Sequence, residues 1–380
     1  MKILLVNWQD LENPHAGGAE LHLFELFGRL AGRGHTAHLV CSGWPGAPAT
    51  ARVRDISVER HGGRHSFAVL GRGAVRRALA REPWDIVVED VNKLPLYLAS
   101  ITRLPFCVIV PHLFGTTAFR EAPWPVAAAV ALSERPIPRV YRRAGFHAIS
   151  ESTRDDLVRR GVAPGRIRVI HPGIDAVRYA PAPGLDRTDP PTFLYVGRLK
   201  RYKGVEVAIR ALALAHHRRP DLGLDIAGTG DDVDRLKGLA ASLGLESAVR
   251  FHGFVTEERK RELFRAAWAN LFPSPKEGWG LTVMEAAACG TPSLASDSPG
   301  LRDSVRHEAT GFLVPHGDAA ALAARMLELA GDRALVERLG AEARRHALSW
   351  SWDDAAAATE SHLTELAAGS GPLPPRFGRT

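Results

Sequence analysis

Short apolar runs alternate with amphipathic helical patterns along most of the chain. Strand-like runs occupy 2–7, 36–42, 56–60, 85–88, 106–110, 147–150 and 168–171, and further runs lie near Phe193, Leu224, Val249, Ala269, Ser293 and Phe312. Between the first two runs, the segment 20–33 places apolar side chains at helical spacing, namely Leu21, Phe24, Phe27 and Leu30. Strands that alternate with helices are typical of βαβ units. The pattern therefore predicts an α/β protein with doubly wound parallel sheets.

A proline-rich stretch interrupts the pattern once, at 179–191. With 380 residues the chain is long enough for two domains, each with its own core. We therefore expect an N-terminal domain at 1–180, a linker at 181–191 and a second domain at 192–351. The segment 352–368 has the spacing of a last helix, and the glycine- and proline-rich tail 369–380 is expected to be frayed.

Two glutamates flank a loop with two glycines in the second predicted domain. The segment 277–285 reads Glu-Gly-Trp-Gly-Leu-Thr-Val-Met-Glu, and a helical pattern begins after its second glycine. Gly278 and Gly280 let the backbone approach a ligand closely, and a helix N-terminus attracts phosphate. Carboxylates accept hydrogen bonds from hydroxyl groups, so Glu277 and Glu285 are candidates for binding a sugar and a ribose. The alternative is an acid near a helix start and a solvated helical glutamate.

A cluster of cations follows the first strand-like run of the second domain. The segment 197–204 reads Gly-Arg-Leu-Lys-Arg-Tyr-Lys-Gly and precedes an amphipathic helix. Arg198 offers a planar fork for phosphate oxygens, and Lys203 is a point charge beside the helix start. We interpret Lys200 and Arg201 as solvated. Charge runs are usually solvated surface, but open α/β sheets bind ligands at the carboxyl ends of their strands, which favours a diphosphate site here.

Further short motifs occupy fixed places along the chain. They are Gly17-Gly18-Ala19-Glu20, Pro111-His112, His171-Pro172-Gly173-Ile174-Asp175, Ala227-Gly228-Thr229-Gly230, Phe251-His252-Gly253-Phe254 and Ser351-Trp352-Asp353. Together with the two segments above, the order of these motifs resembles glycosyltransferase family 4 over nearly the whole chain. The sequence departs from the family pattern at Trp279, where phenylalanine is commoner, and at His171, where the family has asparagine.

The resemblance implies a retaining enzyme of the GT-B arrangement, with two Rossmann-like domains facing across a cleft and a C-terminal helix crossing back to the first domain. Such an enzyme moves a hexose or other sugar from a nucleoside-diphosphate sugar to a hydroxyl of a glycan, lipid-linked or small-molecule acceptor, in cell-surface polysaccharide or glycoconjugate biosynthesis. The expected catalytic residues are His112, Glu277, Arg198 and Lys203. The expected donor-binding residues are Gly17, Gly18, Gly197, Arg198, Lys203, Gly228, Gly230, Phe254, Val255, Glu277, Gly278, Trp279, Gly280, Leu281, Thr282 and Glu285.

No cofactor and no metal ion are expected. Arg198, Lys203 and the amides that open the helix after Gly280 can stabilise charge on a departing diphosphate. The acidic pair Asp231-Asp232 is interpreted as a helix cap. The three cysteines form no CxxC pair, which argues against a disulfide framework or a zinc knuckle.

The formal net charge of +7 favours an anionic partner: a nucleotide, a lipid surface or nucleic acid. We expect no nucleic-acid binding, because the chain lacks a basic motif interleaved with aromatic residues and a zinc finger. A dehydrogenase is disfavoured, because the first glycine pair lacks the GxGxxG fingerprint. A sugar-nucleotide epimerase or hydrolase on the same fold remains the main alternative to a transferase.

Two groups of arginines suggest contact with a membrane. Arg72, Arg76, Arg77 and Arg81 fall at helical spacing, and Arg135, Arg139, Arg142 and Arg143 follow the apolar stretch 124–132. Basic amphipathic faces dock on anionic lipid, although a solvated surface is the alternative. The first residues are too short for a signal segment, and no apolar run is long enough to span a bilayer. We therefore expect a cytoplasmic protein with peripheral contact to the inner face of the membrane.

Overall fold

The computed structural model of the chain describes residues 1–117, 119, 124–182, 184 and 186–369. It contains two compact units, one formed by Met1–Gly173 together with the chain from Trp352 onward, the other by Ile174–Ser351. The predicted tail lies outside the described residues except for Gly369. In the part of the chain that the structure describes, each helix is too short or too polar to cross a lipid bilayer.

The first unit is built on an eight-stranded sheet within the described residues. Its strands are β1 (Lys2–Val6), β2 (Thr36–Cys41), β3 (Thr50–Val53), β4 (Ile56–Arg60), β5 (Ile86–Asp90), β6 (Phe106–Val110), β7 (Gly145–Ala148) and β8 (Ile167–Val169). Their order is β3-β4-β2-β1-β5-β6-β7-β8. All neighbours are parallel except β3 and β4. The strand β3 was not predicted, because it is a half-exposed edge strand with only one buried residue, Val53.

Five α-helices precede the second unit in the described part of the chain. They are α1 (Gly18–Gly32), α2 (Phe67–Arg81), α3 (Trp124–Glu134), α4 (Ile137–Val140) and α5 (Glu151–Arg159). The predicted helix at 20–33 corresponds to α1, which buries Leu23, Phe24, Leu26, Phe27 and Leu30. The core of the unit therefore follows from the helical spacing of its apolar residues.

The second unit holds a six-stranded sheet, counted over the described residues, in which all neighbouring strands are parallel. Its strands are β9 (Thr192–Val196), β10 (Gly223–Ala227), β11 (Val249–Gly253), β12 (Asn270–Phe272), β13 (Ser293–Ser296) and β14 (Gly311–Val314), in the order β11-β10-β9-β12-β13-β14. Its helices are α6 (Val205–His216), α7 (Val233–Ser242), α8 (Glu257–Ala266), α9 (Leu281–Ala288), α10 (Leu301–Ser304), α11 (Ala319–Gly331) and α12 (Arg333–Ala347). The strand order reverses at β9, which creates a switch point between β9 and β12.

The last helix, α13 (Trp352–Ala367), belongs to the first unit. Ion pairs fix it there: Arg29 to Asp353 at 2.8 Å, Arg33 to Glu360 at 2.9 Å and Arg168 to Glu365 at 2.8 Å. The apolar side of the helix also packs closely on the unit. A Cβ atom added to Gly145 would lie only 2.7 Å from the Leu366 side chain. The expected return of the C-terminal helix to the first domain is confirmed.

Three buried histidines lie where α13 packs on the first unit. The ring of His22 on α1 lies 5.5 Å from the ring of His147 on β7 and 5.9 Å from the ring of Trp352. Burial lowers the pKa of His22 to about 4. Burial, and then the charge of Arg168, lowers the pKa of His362 to about 4. Burial, followed by the charge of His22, also lowers the pKa of His147. The cluster is therefore uncharged at neutral pH.

The segment that the sequence marks as a linker packs on the second unit. The Arg187 guanidinium donates to the Gly290 carbonyl at 2.7 Å, and the Trp268 indole donates to the Thr188 carbonyl at 2.8 Å. Upstream, the Tyr179 hydroxyl donates to Glu257 at 2.6 Å. These contacts explain why the second unit begins at Ile174, before the stretch 181–191.

Candidate functional site

The candidate site lies at the switch point of the second unit, where chain segments leave the carboxyl ends of β9 and β12. The loop 197–204 follows β9, and the loop 273–280 follows β12. Gly204 lets the two loops meet: its φ is +70°, and a Cβ there would lie 2.6 Å from the Pro273 carbonyl oxygen. Crevices of this kind are where open α/β sheets bind ligands.

An ion pair joins the two loops across this point. Lys203 Nζ lies 2.6 Å from Glu277 Oε1, and the two side chains are 15% and 13% exposed. Arg198 stands on the same loop as Lys203 with its side chain exposed, and its carbonyl accepts a hydrogen bond from the Tyr195 hydroxyl at 3.1 Å. The sequence assigned Lys203 and Glu277 to different parts of a ligand, and the structure shows that they also bind each other.

Three further charged residues of this region, Lys200, Asp231 and Asp232, form ion pairs. Lys200 pairs with Asp231 at 2.5 Å, with both side chains largely exposed. Asp232 occupies the N-cap position of α7, but its carboxylate binds the Arg235 guanidinium at 2.6 Å and makes no hydrogen bond that caps the backbone. Asp232 therefore lies at the predicted cap position of the helix, but its carboxylate binds Arg235 and not the backbone.

The helix α9 opens directly onto the site. Its N-cap, Gly280, has a φ of +88° and no side-chain cap, so the first amides of the helix are free of a capping side chain. The preceding loop is held by Gly300, where a Cβ would lie 2.2 Å from the Glu277 carbonyl oxygen, and by the Glu277 amide, which donates to the Pro299 carbonyl at 3.1 Å. An uncapped N-terminus of this kind suits an anion.

Four of the residues expected to bind the donor are buried or lie at the first turn of this helix. Trp279 is 2% exposed, and its ring lies 5.4 Å from the ring of Trp350, so its side chain is part of the interior. Leu281 and Thr282 are half-buried at the start of α9, and Gly278 is buried. The backbone of this segment, and not the indole of Trp279, faces the site.

The glycines of the neighbouring loops are required by backbone contacts. A Cβ on Gly228 would lie 1.8 Å from the Gly197 carbonyl oxygen, and one on Gly230 would lie 1.9 Å from the Leu199 carbonyl oxygen. The Leu199 amide also donates to the Thr229 carbonyl at 2.9 Å. These glycines therefore bring the loop after β10 against the loop that carries Arg198.

Glu285 lies on α9 within a network of charged and hydroxyl groups that the sequence did not reveal. Lys260 Nζ lies 3.1 Å from Glu285 Oε2 and 2.9 Å from Glu257 Oε1, and Tyr179 donates to Glu257. Burial raises the pKa of Glu285, and the charge of Lys260 opposes this effect. Lys260 could not be identified from the sequence, because it stands in the charged run 257–262 of an amphipathic helix.

Phe254 and Val255 follow β11 at the same edge of the sheet. Phe254 is 83% exposed and Val255 is half-buried. Large apolar side chains that remain exposed beside a polar crevice are suited to contact a flat ring.

The other predicted site residues lie in the first unit. Gly17 is the N-cap of α1, and its amide donates to the Glu20 carboxylate at 2.7 Å, so Gly17 and Gly18 form the entry of that helix. His112 follows β6, is half-buried, and its ring lies 5.0 Å from the ring of Phe114.

The two groups of arginines in the first unit differ in their contacts. On α2, Arg72 donates to the Leu96 carbonyl at 2.7 Å and Arg81 pairs with Glu59, so part of this group is used within the protein. The second group is Arg135, Arg139, Arg142 and Arg143, and all four are exposed and make no ion pair with any described residue. Beside them, α3 exposes 72% of Trp124 and 54% of Leu132.

Comparisons with protein families match both halves of the chain. Residues 16–178 match the model of Glycosyltransferase Family 4, and residues 181–346 match that of Glycosyl transferases group 1. The chain is 36% identical to the D-inositol 3-phosphate glycosyltransferase of Streptomyces scabiei, over 95% of this chain and 90% of that protein. With the protein of the same name from Streptomyces avermitilis it is 36% identical over 65% of this chain, and the alignment spans 57% of that protein.

Solved structures with low sequence identity share the fold. Sucrose-phosphate synthase from Thermosynechococcus elongatus superposes with a TM-score of 0.84 at 23% identity, covering 97% of this chain and 99% of that one. HepE from Anabaena, solved with UDP and glucose, gives a TM-score of 0.78 at 20% identity, covering 96% and 100%. The expected GT-B fold class, with two parallel-sheet α/β domains, is confirmed.

Proposed function

Since the chain belongs to glycosyltransferase family 4, we propose that it is a retaining enzyme that moves a sugar from a nucleoside-diphosphate sugar to a hydroxyl acceptor. The observation that carries this proposal is the meeting of Lys203, Glu277 and the uncapped start of α9 at the switch point of the second unit. A sugar-nucleotide epimerase or hydrolase would need the same donor groups, so the test below includes an acceptor.

The donor's diphosphate is bound by Arg198, Lys203 and the first amides of α9, next to Leu281 and Thr282. Two cations and a helix N-terminus supply fixed positive charge where negative charge develops as the diphosphate leaves. On binding, Lys203 turns from Glu277 to phosphate, which frees the carboxylate to accept a hydrogen bond from a hydroxyl of the sugar. Transfer then needs no metal ion and survives EDTA.

The nucleoside lies on the other side of these phosphates. Glu285 accepts hydrogen bonds from the ribose, and Phe254 with Val255 contacts the base. Gly197, Gly228 and Gly230 shape the loops behind it, and Gly278 and Gly280 bring backbone close to the donor. HepE was solved with UDP and glucose, which supports a uracil nucleotide as the first to test.

In the first unit, we propose that His112 acts at the reacting end of the donor and that the turn at Gly17 and Gly18 lets a ligand approach the backbone. His112→Ala should then impair transfer far more than it weakens binding of the nucleoside diphosphate. If His112→Ala reduced transfer and nucleoside-diphosphate binding by the same factor, His112 would have no separate role in the reaction.

A thermal-shift panel of UDP, GDP, ADP and dTDP tests the donor site, because a ligand of the folded state raises its stability by mass action. The double variant Arg198→Ala/Lys203→Ala should lose the stabilisation, and the control Lys200→Ala/Arg201→Ala, which removes the same charge from the same loop, should keep it. Stabilisation that is equal in both variants would refute the phosphate assignment.

Measurements of turnover and of the product distinguish a transferase from an epimerase or a hydrolase. Glu277→Gln should mainly reduce turnover, whereas Glu285→Gln should mainly weaken nucleotide binding. With donor and acceptor present, proton NMR of the first product should show the donor's anomeric configuration. An inverted product, an epimerised donor, or activity that EDTA abolishes and a divalent ion restores would each overturn the proposal.

Two acceptor classes are supported by separate observations. The Streptomyces relatives are named for D-inositol 3-phosphate, which favours a small phosphorylated polyol as the acceptor. The exposed surface around α3 favours a lipid-linked acceptor and a role in cell-surface glycoconjugate synthesis. Transfer to one class and not to the other decides between them.

We propose that this surface, formed by Trp124, Leu132 and the four arginines after α3, contacts an anionic membrane face on the cytoplasmic side. Exposed apolar residues beside unpaired arginines suit the boundary between headgroups and acyl chains, and each basic residue near such a surface contributes about 1 kcal/mol. Nucleic acid is not expected to be the partner, because binding to phosphates would leave the exposed side chains of Trp124 and Leu132 in water.

Vesicle sedimentation tests this contact. Binding should rise with the fraction of anionic lipid, fall with salt, and be lost in Arg139→Glu/Arg142→Glu. The control Arg218→Glu/Arg338→Glu changes the charge equally at exposed arginines of the second unit and should keep binding. Equal loss in both variants would show that net charge, and not this surface, is responsible.

A further inference from the structure

Among the described residues, Lys260 is the cation that forms an ion pair with the Glu285 carboxylate. The Glu285 side chain is 6% exposed, and Lys260 Nζ lies 3.1 Å from Oε2. The same ammonium lies 2.9 Å from Glu257 Oε1 and 5.2 Å above the ring of Tyr179. Lys260 itself is only 13% exposed. A cation held by two acids and an aromatic face is fixed in place and cannot follow a ligand.

The titratable groups around Glu285 come from three elements. Glu257 and Lys260 belong to α8, Tyr179 belongs to the segment that enters the second unit, and Cys289 is the C-cap of α9, one turn after Glu285. Burial raises the pKa of Glu285, the charge of Lys260 lowers it, and the charge of Glu257 raises it; hydrogen bonds from Lys260 and from Tyr179 lower it further. Glu257 has its own donor, because the Tyr179 hydroxyl binds its Oε2 at 2.6 Å. Lys260 is therefore the cation that favours the charged form of Glu285, and the neutral Tyr179 hydroxyl adds a smaller contribution by hydrogen bonding.

We propose that Lys260 is a positioning residue for the donor site: it holds the Glu285 carboxylate ionised and oriented, so that this carboxylate accepts hydrogen bonds from the ribose. The inference rests on the proposed function, because it assumes that Glu285 contacts the nucleoside. Lys260 does not touch the donor and acts only through Glu285. A buried acid that loses its paired cation is protonated more readily, and a protonated carboxyl loses acceptor capacity.

The sign of the expected pH effect follows from this charge. Without Lys260, the pKa of Glu285 rises further, so fewer molecules carry the ionised carboxylate near neutral pH. Apparent affinity falls with the competent fraction. Nucleotide binding by Lys260→Met should therefore be weak at low pH and recover as the pH rises, whereas the wild-type chain should show a weaker dependence.

Isothermal titration tests this with the nucleoside diphosphate that best stabilises the wild-type chain. We expect Lys260→Met to bind it about tenfold more weakly at about pH 6 and to recover most of the loss by about pH 9. Lys260→Arg should restore binding. The matched control Lys237→Met, a lysine of α7 that lies 5.9 Å from the Phe251 ring, should bind normally at each pH.

The double variant Lys260→Met/Glu285→Gln separates positioning from general packing. If Lys260 acts through Glu285, the double variant binds like Glu285→Gln alone and shows no added pH dependence. A loss in Lys260→Met that is equal at all pH values, or that adds to the loss in Glu285→Gln, overturns the inference. Normal binding by Glu285→Gln overturns instead the assignment of Glu285 to the ribose.

Discussion

Acidification should loosen the last helix, Trp352–Ala367, from the first unit. The helix carries His362 and packs over His22 and His147, and the ring nitrogens of His22 have no hydrogen-bond partner among the described residues. The pKa of His22 and of His362 is lowered from 6.5 to about 4 by burial. In the unfolded chain these histidines take up protons at higher pH than in the folded chain.

The direction of the effect follows from linkage. A base with a lowered pKa contributes its full stability above the unfolded pKa, and this contribution is lost as the pH falls from 6.5 toward 4. At about pH 5, His22 and His362 each remove about 2 kcal/mol from the free energy of unfolding. A combined loss of about 4 kcal/mol is large against a typical total of about 5–15 kcal/mol.

Urea denaturation at about pH 7 and pH 5, with hydrogen exchange of Gly18–Gly32 and Trp352–Ala367, measures this loss. The double variant His22→Leu/His362→Gln should be less sensitive to acid than the wild-type chain, and His217→Gln, an exposed histidine of the second unit, should not change the sensitivity. If the wild-type chain and the double variant lost stability in parallel between these pH values, the reasoning would be refuted.

Two further predictions concern stability and can be checked by denaturation in urea. Gly230→Ala should destabilise the second unit by about 1–3 kcal/mol, because its Cβ would meet the backbone of the loop that carries Arg198, whereas Gly238→Ala, with no atom within 4 Å of the new Cβ, should be neutral or stabilise by about 0.5–1 kcal/mol. Arg60→Met should lower the free energy of unfolding by about 3–5 kcal/mol, because Arg60 is the buried partner of Asp10 at 2.7 Å. Arg168→Met removes a more exposed ion pair, that with Glu365, and should lower the free energy of unfolding by at most about 1 kcal/mol.

The strands could be predicted from the sequence because most are buried on both faces and therefore apolar throughout. The run at 193–196 corresponds to β9, all of whose residues are buried. By contrast, β3 pairs only with β4 and is mostly half-exposed or exposed, so its residues Thr50–Val53 carry no apolar run. The boundary of the second unit was missed for a related reason: the contacts of Arg187 and Tyr179 join residues far apart in sequence.

The candidate site could be predicted only where local sequence carries the chemistry. The glycines of the loop and the start of the helix after Gly280 could be predicted, because a residue with left-handed backbone conformation before a helix is usually glycine. The burial of Trp279 was not, since nothing in the sequence places it against Trp350. The pairing of Lys203 with Glu277 and the position of Lys260 depend on contacts between different elements, which periodicity does not encode.

The place of Trp352–Ala367 in the first unit has a consequence for how the protein is made. A ribosome releases residues in chain order, and domains generally fold as units while synthesis continues. The second unit, Ile174–Ser351, is continuous and is complete before this helix has been synthesised. The first unit begins earlier but must wait for the helix, with His22 and the apolar face around it uncovered in the meantime. The N-terminal half of the nascent chain is therefore the last to mature, and it is the half most in need of chaperone protection during translation.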